Sequence, residues 1–133
     1  MRAALVGAAL WILAAGAASA DPKAMQSVID QQLEAFQADD FSKAMEFASP
    51  VLQRYFRTPE NFGRMVTQGY PMVWRPGDVR YLENRIEDGV HWQRVMITDR
   101  KGQTHVLDYR MTETADGWKI NGVMILDASD FTA

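Results

Sequence analysis

Apolar residues recur at helical spacing in the first half of the chain and alternate at strand spacing after Tyr70-Pro71. From Lys23 onward they fall every three or four positions with polar residues between them, which predicts one amphipathic helix. Its buried face would comprise Met25, Val28, Ile29, Gln32, Leu33 and Phe36. Helices followed by strands indicate the α+β class, with N-terminal helices packed on an antiparallel sheet.

Shorter helical segments follow the first helix. Either Asp39 or Asp40 is placed to cap a second helix by accepting from its free backbone amides, and Ser49-Pro50 interrupts that helix. Its inward side chains would be Phe41, Ala44, Met45 and Ala48, and a further turn is expected over Val51 to Phe56.

The next helix has a clear start and stop. Thr58-Pro59-Glu60 supplies a cap, a proline at the first helical position and an acid in the first turn. Gly69 is expected to end the helix because glycine takes the left-handed backbone that closes many helices. The buried side would comprise Phe62, Met65 and Val66.

Turn signals rich in Gly, Asp and Pro separate the strands of the second half. They predict a four-stranded antiparallel meander, with a short additional strand at Met72–Arg75. The four strands are Val79–Glu87, Val90–Thr98, Gln103–Thr112 and Trp118–Asp127. No repeat or linker interrupts the pattern, so we interpret residues 22–129 as a single domain.

Strand alternation assigns side chains to the two faces of the sheet. In the third strand the expected inward residues are His105, Leu107, Tyr109 and Met111. In the fourth strand Trp118 is in phase with Ile120, Gly122, Met124 and Leu126, which predicts that these residues share one buried face.

The N-terminus has the form of a secretory signal peptide. Arg2 precedes an apolar run, and Ala18-Ser19-Ala20 places small residues where signal peptidase requires them, so cleavage is expected after Ala20. The alternative is an uncleaved membrane anchor, but the run is short and Ala-rich for a spanning helix. We therefore predict a periplasmic or secreted protein, with no membrane span after cleavage.

Composition narrows the possible partners and chemistry. The 133 residues carry a formal charge of −3, which becomes −4 when Arg2 leaves with residues 1–20. Bases alternate with acids along residues 80–87, so no basic patch for nucleic acid is expected. The absence of cysteine excludes disulfides, thiolate chemistry and a lipidated N-terminus.

Four stretches of the sequence resemble a bacterial family known as domain of unknown function 4864. They are residues 48–53, 56–62, 69–75 and 116–123. The helix order and a last strand that begins Asp-Gly-Trp-Lys-Ile also resemble the wider superfamily of nuclear transport factor 2-like, ketosteroid isomerase-like and SnoaL-like proteins. That resemblance implies a strongly curved sheet wrapped around a long helix, a cone whose open end often forms an apolar pocket. It implies no activity, because the superfamily contains enzymes, binding modules and assembly domains.

Five residues are candidates for a ligand-binding site. The segment from Tyr70 to Arg75 joins helix to sheet with two aromatics and a base, and the inward face of the third strand adds two polar groups. The candidates are Tyr70, Trp74, Arg75, His105 and Tyr109. The structural alternative is that the junction seals helix to sheet, that Tyr109 is a core tyrosine and that His105 is an ordinary strand histidine.

Evidence for catalysis is weak. Ketosteroid isomerase-like enzymes combine an aspartate base with a tyrosine and a protonated acid. The residues available for such roles are Asp39, Asp40, Asp108, Tyr55 and Tyr70. The first two fit helix capping, and Asp108 falls on the face opposite Tyr109, where we expect it to pair with Arg110 or with a cross-strand base. No nucleophile, phosphate-loop or metal-ligand motif is present, so no catalytic residue, metal or cofactor is assigned.

The sequence therefore predicts a non-catalytic module that binds a small apolar or amphipathic ligand or a partner protein. A pocket enzyme of the isomerase or hydrolase type is one alternative, and a structural domain that forms a homodimer through its open sheet face is the other. An uncharged apolar pocket would favour binding, whereas a buried acid beside His105 or Tyr109 would favour an enzyme.

Overall fold

Five helices precede four strands in residues 21–127, the part of the chain that the computed structural model describes. The predicted signal peptide, residues 1–20, lies outside the described residues. The helices are α1 (Pro22–Gln37), α2 (Phe41–Glu46), α3 (Pro50–Phe56), α4 (Pro59–Gly69) and α5 (Pro71–Trp74). The strands are β1 (Pro76–Glu87), β2 (Val90–Asp99), β3 (Thr104–Thr114) and β4 (Gly117–Leu126). None of these helices combines the length and apolar character that crossing a membrane requires.

Each of the first four helices begins after a residue whose side chain accepts a hydrogen bond from the backbone amide three positions later. The caps are Asp21, Asp40, Ser49 and Thr58. Proline stands at the first position of α1, α3 and α4, where its missing N–H costs nothing. Asp40 is thus the cap of α2, whereas Asp39 has a left-handed backbone with φ 57° between α1 and α2.

The short strand predicted at Met72–Arg75 is wrong, because this segment forms helix α5. Tyr70 leaves the helical region with φ −134°, as residues before proline tend to do, and Pro71 then begins a new turn. Gly69 is the last residue of α4 as predicted, but its φ is not positive. The predicted reason for that helix end is therefore wrong, and Pro71 is the better explanation.

The strands form one open antiparallel sheet in the order β1-β2-β3-β4, which confirms the predicted meander. β1 begins at Pro76, earlier than the predicted Val79, and its pairing with β2 is irregular between Tyr81 and Asn84. The buried Gln93 stabilises that irregularity. Its amide nitrogen donates to the carbonyl of Leu82 at 3.1 Å, and its amide oxygen accepts from Asn84 at 2.9 Å.

An irregularity in the pairing of β3 with β4 changes which side chains of β4 lie on the inner face of the sheet. Gly122 pairs with Arg110 and Ile120 with Met111, so Asn121 is an extra residue, as in a β-bulge. Trp118 and Ile120 are buried as predicted, but the expected continuation of their face through Met124 is wrong, since Met124 is 53% exposed. The bulge instead brings Val123 against the helices.

The helices cover one face of the sheet, called the inner face here, and the buried side chains between the two layers form one apolar cluster. The predicted inner residues Leu107, Tyr109 and Met111 belong to it. On the opposite, outer face, Asp108 is also buried and lies between Arg85 and Arg94. The class is therefore α+β, as the sequence predicts.

Candidate functional site

A cavity of about 390 Å³ lies between the helices and the C-terminal half of the sheet. Its volume is within the range of small-molecule binding sites. Helices α1, α3 and α4 supply most of the wall, β3 and β4 supply four residues, and Ala48, Tyr70 and the α5 residue Val73 complete it. The lining residues are Gln32, Phe36, Ala48, Leu52, Tyr55, Phe56, Phe62, Met65, Val66, Tyr70, Val73, Tyr109, Ile120, Gly122 and Val123.

One wall of the cavity is a row of aromatic rings that runs from the surface into the core. Tyr55, 75% exposed, meets Phe56 edge-on at 5.0 Å between ring centroids. Phe56 contacts Phe62 at 5.3 Å, and Phe62 contacts the fully buried Phe36 at 5.7 Å. Such a row presents a continuous apolar surface with well-defined geometry.

Gly63 allows α4 to carry its part of this row. A Cβ at this position would lie 2.9 Å from the ring of Phe41, closer than side chains pack. Glycine therefore lets α4 approach α2, which places Phe62 and Val66 on the cavity. A larger residue would push α4 away from Phe41.

Helix α3 is the least buried part of the wall. None of its residues is fully buried, although Leu52 and Phe56 line the cavity. Its ends are fixed by hydrogen bonds, one from the Leu52 amide to Ser49 Oγ at 3.2 Å and one from Asn61 Nδ2 to the Phe56 carbonyl at 2.9 Å. α3 thus covers the cavity as a short, anchored helix with solvent on its other side.

The bulge in β4 shapes the opposite wall. By adding a residue at Asn121, it brings Gly122 and Val123 onto the cavity. Tyr70, just after α4, donates its hydroxyl to the Val123 carbonyl at 3.1 Å and so connects the helices to this strand. Sequence reasoning missed Gly122 and Val123, although a glycine inside a strand is a known signal for a bulge.

Tyr109 lies fully buried on β3 and also lines the cavity. Its hydroxyl has no hydrogen-bond partner among the described residues. Burial, with a smaller contribution from nearby Tyr70, raises the pKa of Tyr109 well above its ordinary value. The hydroxyl is therefore neutral over the physiological range and can donate or accept a hydrogen bond.

The lining contains no charged side chain among the residues described. Its polar side chains are Gln32, Tyr55, Tyr70 and Tyr109. Gln32 donates to the Ala44 carbonyl at 3.1 Å, so its side-chain amide forms a hydrogen bond between α1 and α2. The chemistry of the cavity is thus apolar with a few neutral polar atoms.

Two of the five predicted ligand-binding residues, Tyr70 and Tyr109, come together on this cavity. Trp74 and Arg75 lie elsewhere, against the exposed Asp39. Trp74 Nε1 donates to Asp39 at 2.8 Å, Arg75 forms two hydrogen bonds with the same carboxylate, and the Arg75 guanidinium stacks 4.2 Å from the centre of the Trp74 ring. These contacts lower the pKa of Asp39, with Trp74 the main cause.

The fifth candidate, His105, is the second residue of β3, next to the turn between β2 and β3. Its Nε2 is 2.9 Å from Asp99 Oδ2, and the other carboxylate oxygen accepts from the amides of Lys101 and Gln103. The hydrogen bond with His105 is the main reason that the pKa of Asp99 is lowered. His105 and Asp99 therefore hold this turn and do not line the cavity.

His91 lies beside a second, smaller and more polar depression of about 230 Å³ near Trp118. Its ring meets Trp118 edge-on at 4.9 Å, and its Nδ1 is buried with no partner among the described residues. Within residues 21–127 no three acidic or histidine side chains converge as metal ligands.

These features define an α+β protein with an uncharged apolar cavity between helices and sheet. The family model for the domain of unknown function DUF4864 matches residues 18–133, which include every residue after the predicted signal peptide. The chain belongs to this family. Comparison with curated proteins and with solved structures finds no match.

Proposed function

We propose that this protein is a non-catalytic module that binds a small apolar or amphipathic ligand in the cavity between α3, α4 and β4. The observation that carries the proposal is a cavity of about 390 Å³ whose described lining is uncharged and dominated by aromatic and aliphatic side chains. Apolar cavities of this size, with a few oriented polar atoms, are typical of small-molecule sites.

The chemistry of the lining favours binding over catalysis. The titratable side chains in the described lining are three tyrosines, Tyr55, Tyr70 and Tyr109. General acid–base catalysis near neutral pH uses groups whose pKa is close to the working pH. Because the pKa of Tyr109 is raised, it is a poor base at that pH, and no carboxylate or imidazole of the described lining stands beside it.

Titration with the neutral fluorophore N-phenyl-1-naphthylamine tests the proposal. We expect saturable binding at one site per chain. Leu52→Trp should weaken that binding by about tenfold or more, because an indole in place of Leu52 occupies the cavity.

Val51→Trp is the matched control. Val51 neighbours Leu52 on α3, but it is 58% exposed and does not line the cavity. This variant should bind the probe as the parent does. The proposal would be contradicted if Leu52→Trp and Val51→Trp lost affinity for the probe equally, or if the parent showed no saturable binding. Native mass spectrometry of the exported protein would then report the mass of any ligand that it retains.

We also propose that the protein is exported and cleaved after Ala20. Small residues at Ala18 and Ala20 after a short apolar run support this. The intact mass of the exported protein tests it, because Ala20→Arg should block cleavage, and a parent protein that retains residues 1–20 would contradict it.

For the fold, we propose membership of the nuclear transport factor 2-like superfamily, with the sheet curled around α1. Its support is the order of helices before a four-stranded meander and an apolar cavity between the layers. An experimental structure with a flat sheet that leaves α1 on its surface would contradict this proposal.

A further inference from the structure

Helix α3 has a second apolar row, which faces solvent instead of the cavity. Leu52 and Phe56 line the cavity, whereas Val51 and Tyr55 are largely exposed. Residues four positions apart are neighbours on the surface of a helix, so the two exposed side chains form one stripe beside the cavity wall. Tyr55 belongs to both, because it lines the cavity and is also exposed. The cavity therefore reaches solvent at this stripe.

The charge around the exposed stripe is positive. Residues 50–69, which form α3 and α4, have a formal charge of +2, although residues 21–133 together carry −4. The charged residues of this segment are three bases and one acid, namely Arg54, Arg57, Arg64 and Glu60. All three bases are exposed, and within residues 21–127 none of them forms an ion pair. Their guanidinium groups are thus available to an anionic partner.

An exposed apolar stripe flanked by bases fits a membrane surface that carries anionic lipid. Contiguous apolar patches on a protein surface mark sites of interaction with ligands, proteins or membranes. The apolar side chains of an interfacial helix enter the boundary between headgroups and acyl chains, and bases beside them attract anionic headgroups. Tyrosine suits that boundary, because its ring is apolar and its hydroxyl stays hydrated.

The uneven distribution of charge also orients the protein. An anionic surface attracts residues 50–69 and repels the acidic remainder of the chain. Helix α3 therefore approaches such a surface first, with the opening of the cavity directed toward it.

We propose that the exposed stripe of α3 docks on a membrane surface that contains anionic lipid. Val51 and Tyr55 lie at the level of the headgroups, and Arg54 and Arg57 bind headgroup phosphates. This docking goes beyond the proposed function, because it concerns the outer side of α3 and not the inside of the cavity. In the docked protein an apolar ligand passes between bilayer and cavity without entering bulk water.

Co-sedimentation with vesicles tests the docking. The test uses the exported protein without residues 1–20, since that apolar run would itself bind lipid. Vesicles of phosphatidylcholine alone are compared with vesicles that contain phosphatidylglycerol as well. We expect partition onto the anionic vesicles to be stronger by about tenfold or more, because each base near an anionic surface favours binding. The difference should disappear at about 1 M NaCl, where surface charges are screened.

Two double variants test the contribution of charge. Arg54→Gln combined with Arg57→Gln should lower partition onto the anionic vesicles by about tenfold. Lys23→Gln combined with Arg80→Gln is the control. It removes the same charge where the start of α1 contacts β1, at the opposite edge of the sheet from β4. This control should partition nearly as the parent does.

Two single variants test the apolar contact. Val51→Ser should weaken partition by about fivefold, because an apolar side chain no longer enters the lipid boundary. Ile86→Ser is the control, since Ile86 is similarly exposed but lies on β1. It should leave partition unchanged.

The docking proposal is wrong if the parent partitions equally onto the two kinds of vesicle, or if either control weakens partition as much as the variant with which it is matched. Absence of binding to the anionic vesicles would also overturn it, and an acidic protein would then be the partner that the charge of residues 50–69 fits. The proposed cavity is tested separately. All these variants should bind N-phenyl-1-naphthylamine as the parent does, because none of the substituted residues lines the cavity.

Discussion

Tyr70 and Tyr109 line the same cavity, but only the Tyr70 hydroxyl has a hydrogen-bond partner in the described structure. Tyr70 donates to the Val123 carbonyl at 3.1 Å, whereas the hydroxyl of Tyr109 is buried and unpaired. The two tyrosines thus have opposite energetic roles. The Tyr70 hydroxyl stabilises the contact between helix and strand. The unpaired Tyr109 hydroxyl lowers the free energy of unfolding.

This difference predicts opposite effects of the same substitution on ligand-free protein refolded from urea. Tyr70→Phe should lower the free energy of unfolding by about 1 kcal/mol, because the Val123 carbonyl loses its donor. Tyr109→Phe should raise it by about 1 kcal/mol, because a buried unpaired group disappears. Urea midpoints of both variants check this. A loss of stability in Tyr109→Phe would mean that its hydroxyl has a partner in the ligand-free protein.

Local patterns in the sequence were sufficient to predict most of the fold. Helical spacing identified the buried side of α1, and turn residues identified the four strands in their correct order. These features depend on near neighbours in the chain. The segment Met72–Arg75 was predicted wrongly because its aromatic and β-branched residues favour strands, while Pro71 begins a helical turn.

The cavity was only partly predictable, because its walls depend on contacts between distant segments. Tyr109 was recognised from strand alternation, but Val123 was not, since the bulge at Asn121 reverses the alternation of β4. Arg75 was expected to meet a ligand, but the structure pairs it with Asp39, 36 positions earlier in the chain. No local pattern indicates such a partner.

Asp108 on the outer face makes stability depend on acid pH. Burial alone would raise the pKa of Asp108, but hydrogen bonds from Arg94 and Arg85, at 2.8–3.2 Å, outweigh it and hold the pKa below its ordinary value. A lowered folded-state pKa stabilises the protein above the unfolded-state value, roughly 3.9, and that stabilisation is lost as the pH falls through the folded-state value.

We therefore expect Asp108→Asn to lower the free energy of unfolding at pH 7 by about 3 kcal/mol. This is the low end for a broken buried ion pair, because both guanidinium groups keep some contact with water. Urea unfolding measured as a function of pH should show that the difference in free energy of unfolding between the parent and Asp108→Asn becomes smaller below about pH 4. Glu83→Gln is the control, since Glu83 also meets Arg94 but is largely exposed. If this difference in free energy stays constant down to pH 2, Asp108 is not the source of the acid dependence.

Trp118 anchors the start of β4 in the core. Its side chain is 8% exposed and packs edge-on against His91 at 4.9 Å. Trp118→Ala should lower the free energy of unfolding by roughly 3–5 kcal/mol, the usual result of emptying a buried aromatic site. Met124→Ala, on the exposed part of the same strand, should change it far less. Equal urea midpoints for Trp118→Ala and the parent would place this residue outside the core.

Arg57 ends helix α3 in a strained backbone conformation, with φ 72° and ψ −49°. The Thr58 amide donates to the Phe56 carbonyl at 2.9 Å, which closes a tight turn at this residue. Side chains other than glycine are disfavoured at such positive φ values, at a cost of roughly 1–3 kcal/mol. The strain lies directly after Phe56, a residue of the cavity wall.

Arg57→Gly should therefore raise the free energy of unfolding by about 1 kcal/mol, because relief of the strain exceeds the extra chain entropy of glycine. Arg57→Ala removes the same charge but keeps the Cβ, so it should not raise stability. Urea midpoints of the two variants and the parent separate backbone from charge effects. If Arg57→Ala stabilises the protein as much as Arg57→Gly does, the guanidinium rather than the backbone is the source of the strain. Binding of N-phenyl-1-naphthylamine should be the same in both variants and the parent, because neither substitution changes a side chain that lines the cavity.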